Sequence, residues 1–107
     1  MKGPGKSWHE QAWRRRAADL LRQDGLLRGN ISVRRRVCGK SACRCAEGER
    51  HEATYVVYRE AGGTVQLYVP KEWEERARRW VKRYGEAREI LDKLSGLYEA
   101  KVRRRRD

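Results

Sequence analysis

The hydrophobic period of this chain changes at Pro70, and that change constrains the fold more than any other feature. Upstream, residues 54–59 (TYVVYR) and 64–69 (TVQLYV) are rich in tyrosine and β-branched side chains, which suit a pleated, half-buried surface. Glu60, Ala61, Gly62 and Gly63 join them as a short glycine-containing hairpin loop. Downstream, Trp73, Ala77, Trp80, Val81, Tyr84, Ala87, Ile90, Leu91, Leu94, Leu97, Tyr98 and Val102 advance in steps of three and four, a helical stripe. Pro70 is tolerated in a first helical turn, and Glu72, Glu74 and Glu75 favour its positive end. At 1.5 Å per residue the pattern would reach about 45 Å. It therefore either breaks near Gly85 into two helices, or projects in part and pairs with the N-terminal helix or a second protomer as a coiled coil. Glu72/Arg76, Glu75/Arg79 and Glu89/Lys93 are i,i+4 pairs that describe a solvated face.

Nearer the N-terminus, residues 2–6 read as a flexible leader and Ser7 with Glu10 as a capping box. Trp8, Ala12, Trp13, Ala17, Leu20 and Leu21 follow helical spacing, so a first helix is predicted over 8–24, closed by Gly25 in a left-handed cap. Ile31, Val33 and Val37 alternate with Ser32, Arg34 and Arg36 as a first strand. The predicted fold class is α+β. A small three-stranded antiparallel sheet with a zinc-knuckle-like insertion is flanked by an N-terminal helix and a long C-terminal helix. The segments are a basic leader and helix (1–28), a metal-binding β element (29–70) and a long helix with a basic tail (71–107).

A chain of 107 residues with 38% hydrophobic and 39% charged residues makes a thin core, which a metal or a partner subunit would reinforce. No run approaches the roughly 20 apolar residues of a membrane span, and the N-terminal MKGPGKSWHE lacks the apolar segment of a signal peptide. A soluble, cytoplasmic protein without a membrane partner is expected.

The spacing Cys38-x4-Cys43-x-Cys45-x5-His51 gathers three thiols and an imidazole in fourteen residues. These are the ligands Zn²⁺ prefers, and four of them close a tetrahedral structural site. Gly39 permits a tight turn beside the first sulfur, and Lys40, Arg44 and Arg50 would offset thiolate charge. Reduced inert cysteines, redox or disulfide chemistry, and an iron–sulfur cluster with a histidine ligand are the alternatives. For His51 the alternative is an ordinary surface histidine, and His9 reads as a partly exposed helix residue.

The net charge is +12, and 20 of the 27 basic residues are arginine, the side chain suited to bidentate phosphate or guanine contacts. By segment the net charge is +4 over 1–28, +4 over 29–50, −1 over 51–70 and +5 over 71–107. The near-neutral block reads as scaffold and the basic ones as contact surfaces. Nucleic acid is the expected partner, DNA ahead of RNA, through Arg34, Arg35, Arg36, Lys40, Arg44 and Arg50, with Arg14, Arg15 and Arg16 on the first helix. On a strand, Arg34 and Arg36 project to one face and Arg35 to the other. A surface ion network is the bland alternative, but 29–50 holds only Glu47 and Glu49 to match its bases. The competing function is a protein-interaction accessory subunit or homodimer anchored by aromatics such as Trp8 and Trp13. There is no P-loop, no dinucleotide-binding turn and no acidic trio for magnesium, so no enzyme is expected.

From about Arg34 to Leu97 the chain resembles a family of small uncharacterised prokaryotic domains. The resemblance rests on Cys38-Gly39-Lys40, Cys43, Cys45, Gly48, His51, Tyr55, Tyr58, Tyr68-Val69-Pro70 and the helix containing Trp80 and Tyr84. It implies a basic strand, a cysteine element, a tyrosine-rich hairpin and a long charged helix, in a mobile-element or transposase-like setting. After His51 the family pattern has Gly-Pro-Tyr where this chain has Glu52-Ala53-Thr54-Tyr55.

Overall fold

A computed structural model describes residues 8–36 and 51–105, Arg36 and His51 by their backbone alone. The order is α1 (Trp8–Leu21), β1 (Asn30–Arg36), β2 (His51–Glu60), β3 (Gly63–Val69), a 3-10 turn (Lys71–Trp73) and α2 (Glu74–Arg104). The fold class is α+β, with an antiparallel sheet in the order β1-β2-β3. Among the described residues no helix is long and apolar enough to cross a membrane.

Three details differ from the sequence expectation. The helix does not break near Gly85: α2 is one helix of 31 residues. A single glycine costs an α-helix only about 1 kcal/mol, which flanking Ala, Leu, Glu, Lys and Arg residues outweigh. Helix α1 ends at Leu21, and Gly25 does not adopt the left-handed conformation; Gly29 does, at φ 119°. A Cβ at Gly29 would lie 2.6 Å from the Val57 carbonyl oxygen, so the chain enters β1 too close to β2 for any side chain. Of the i,i+4 pairs, Arg76 lies instead over the Trp73 ring at 3.8 Å, and Lys93 over the Trp13 ring at 5.8 Å. A cation over an indole competes well with an exposed ion pair. Ser7, the expected N-cap, and Val37 lie outside the described residues.

The chain divides into two compact units, Met1–Leu26 with Lys82–Asp107, and Leu27–Val81. In the first, Ala17, Leu20, Ala87 and Ile90 form the buried cluster, with Trp13 and Leu94 against it. On the α1 side this face is built from Trp13, Ala17 and Leu20 alone among the described residues. Polar ties supplement it. Arg83, 8% exposed, donates to Asp24 Oδ1 at 2.9 Å and to the Gly25 carbonyl at 2.7 Å.

In the second unit, β2 and β3 meet across Ala61-Gly62, where Gly62 takes φ 100°. The pairings Ile31↔Val56↔Leu67 and Val33↔Thr54↔Val69 set one face of the sheet. That face carries the core: Val56 and Val69 pack with Ala77 of α2, joined by Leu27, Ile31, Tyr58 and Val81. The Leu27 amide also bonds the Trp80 carbonyl at 3.2 Å.

Candidate nucleic-acid interface

Strand alternation sends neighbouring residues to opposite faces, and the register sorts the sheet's charges by face. The core-side face includes Arg35, Glu52 and Glu60. Both acids are engaged: Glu52 by Arg35 Nε at 2.7 Å, and Glu60 by Arg28 Nη2 at 2.8 Å. The opposite face comprises Asn30, Ser32, Arg34 and Arg36 of β1, His51, Ala53, Tyr55, Val57 and Arg59 of β2, and Thr64, Gln66 and Tyr68 of β3. Among the described residues it contains no acid.

The centre of this acid-free face is ordered by aromatic contacts. The Arg34 guanidinium lies 4.8 Å from the centroid of Tyr55 and donates to Gln66 Oε1. Tyr55 meets Tyr68 edge to face at 5.8 Å, the geometry that ring quadrupoles favour. Tyr68 remains 57% exposed. Among the described residues neither Arg34 nor Arg59 has a carboxylate partner.

The basic residues of α1 are situated differently. Arg14 Nε donates to Glu10 Oε2 at 3.1 Å and its Nη2 to the Tyr98 hydroxyl, which in turn donates to Glu10. Glu10 is only 2% exposed. The Tyr98 hydroxyl, more than Arg14 and Lys101, holds its carboxyl below the usual carboxylate range against the opposing effect of burial. Arg16 grips Glu86 bidentately at 2.7 and 3.1 Å, which lowers the Glu86 carboxyl and raises the Arg16 guanidinium. Arg15 is exposed and has no ion-pair partner among the described residues. His9 stands between the rings of Trp8 and Trp13, at 5.0 and 5.9 Å.

Of the residues singled out in the sequence, the structure brings Arg34 and Arg36 to one face at backbone level and directs Arg35 to the other. Lys40, Arg44, Arg50 and the three cysteines lie outside the described residues, and among those described no group of three metal-ligating side chains occurs. The register nonetheless sets the backbone of Arg36 directly opposite that of His51. Sequence reading missed Tyr55, Arg59, Gln66 and Tyr68 as members of a surface. The period of two along β2 was the available signal, since Tyr55, Val57 and Arg59 are alternate residues.

A family model described as a domain of unknown function (DUF6788) matches residues 9–79. The chain belongs to that family. The match takes in α1, the whole sheet and the first turns of α2, so it begins earlier and ends earlier than the resemblance drawn from the cysteine and tyrosine motifs. No curated protein and no solved structure matches the chain.

Proposed function

We propose that this chain is a small, basic, non-catalytic nucleic-acid-binding protein whose contact surface is the acid-free face of its sheet. The observation that carries the reading is the segregation of charge: each acid of the sheet lies on the core side and is neutralised there. Arg34 and Arg59 lie opposite, with no carboxylate partner among the described residues. Such arginines release counterions when they meet phosphate, which gives backbone-dominated, weakly sequence-specific affinity. DNA is favoured ahead of RNA, and a mobile-element or nuclease nucleoprotein complex is the setting the motif resemblance suggests.

A structural zinc ion belongs to the same proposal. Three thiolates and one imidazole are a complete tetrahedral donor set, and the Arg36–His51 register supports closure of the segment that carries them. Cys38, Cys43, Cys45 and His51 would hold the ion, which supplies folding energy and leaves no open position for substrate. Lys40, Arg44 and Arg50 belong to that segment and would extend the basic face.

One observation favours a second reading, an accessory subunit that binds a protein partner. A groove of about 240 Å³ beside edge strand β3 is lined by Leu27, Leu67, Val69, Trp73, Ala77 and Trp80, among others.

Anisotropy titrations of the purified chain against labelled DNA and RNA across a salt series test the proposal, with metal analysis of the same sample. The expected result is about one zinc per chain and a steep linear fall of log K with log salt, flattened when Arg34 and Arg36 are both replaced by alanine. Absence of binding at low salt overturns it in favour of the accessory reading.

A further inference from the structure

We infer that the ligand is single-stranded, with unpaired bases stacking on the tyrosines of the sheet while the arginines hold its phosphates. This deepens the nucleic-acid reading above and rests on it. The major groove of B-DNA, about 12 Å wide, admits a helix or a two-stranded ribbon. Three strands about 4.8 Å apart, with side chains at both margins, form too broad a platform to enter it. A surface that grips only phosphate also has no use for exposed aromatic rings.

This one presents them on its central strand and one edge strand. Tyr55 and Tyr68 are direct cross-strand partners. Tyr55 is already fixed by Arg34 on its ring and by the edge contact with Tyr68. The Tyr68 ring, 57% exposed, lies on the outermost strand. An ordered ring loses little freedom when a base covers it, and every base has a face to offer, so stacking tolerates any sequence. Arg34 flanks the tyrosines from β1. Arg59 lies four residues beyond Tyr55 on β2, about 13 Å away at the rise of a strand. Cations flanking an aromatic centre are the arrangement by which single strands are bound without base-specific hydrogen bonds.

The test titrates the full chain, in its metal-containing form, with fluorescein-labelled dT and U strands of about 12 nucleotides and a duplex of equal length, at matched salt. Single strands are expected to bind more tightly than duplex. Tyr68→Ala should weaken them on the order of tenfold without changing the salt slope. Tyr68→Phe, which keeps the ring, should bind like the parent. Because Tyr68 is largely exposed, circular dichroism and thermal melting should be the same for all three proteins. Preference for dT or for U, each above duplex, upholds the inference and assigns the sugar. Duplex binding equal to single-strand binding, with Tyr68→Ala unimpaired, overturns it and leaves simple polyanion binding standing. Failure of every probe at low salt overturns both.

Discussion

Arginine does two different jobs in the two units of this molecule. In the helical unit it is structural: Arg83 ties α2 to the residues that follow α1, Arg16 clamps Glu86, and Arg14 closes a three-membered ring with Glu10 and Tyr98. On the outer face of the sheet, Arg34 rests on a tyrosine and Arg59 meets no acid among the described residues. The contrast shows that a net charge of +12 says little about where a polyanion binds. Many of the cations are already neutralised by the fold that carries them.

Perturbations of the two units should therefore read out on different instruments. The largest effect is expected from Cys45→Ser, or from stripping metal with a chelator. Structural zinc contributes on the order of 10 kcal/mol in small metal-dependent modules, so cooperative melting of the sheet, followed by near-UV circular dichroism, should fail. Unchanged melting would remove the metal from the account. Next, Arg83→Ala leaves the Gly25 carbonyl without its buried donor and should destabilise by about 2 kcal/mol in urea unfolding. The salt dependence of nucleic-acid binding should not move. Gly85→Ala acts in the opposite direction. A Cβ there meets nothing within 4 Å, so the helix should gain about 0.5–1 kcal/mol, again with affinity unaltered.

A paired comparison is finer still. Arg16→Ala should lower the melting temperature slightly and leave binding alone. Arg34→Ala should keep the melting temperature and reduce the magnitude of the salt slope by about one phosphate contact. If the two variants exchanged phenotypes, the division of labour proposed here would be reversed. The last effect is a pH dependence. Because the Glu10 carboxyl is held below its ordinary range in the folded chain, the unfolded chain takes up its proton first as pH falls. The associated stabilisation is full above the ordinary carboxylate pKa and is lost as pH drops through the lower, folded value. Melting curves of the parent and Glu10→Gln should therefore converge on acidification.

The elements themselves could be read from the sequence. Alternation around the Ala61-Gly62 loop yields an antiparallel hairpin, and steps of three and four after Pro70 yield a helix. Chain breaks were harder to locate. Gly25 and Gly29 look alike in sequence, but it is Gly29 that lies against a neighbouring strand's carbonyl and takes the left-handed conformation. The outer face was hidden by averaging. Residues 51–70 hold two acids and one base and sum to −1, yet Glu52 and Glu60 project one way and Arg59 the other, and a sum along the chain mixes two surfaces that never meet.

Composition and period alone determined an α+β chain with a thin core, a compact set of thiol and imidazole donors, and an excess of arginine. These follow from local rules in which each residue speaks for its immediate neighbours. Tertiary structure decided which arginines remain available, by bringing Glu86 to Arg16 from seventy residues away and Tyr55 to Arg34 from the adjoining strand. Pairing across such separations depends on register and packing. A cation's neighbours in sequence do not reveal whether its partner in space is an acid or an aromatic ring.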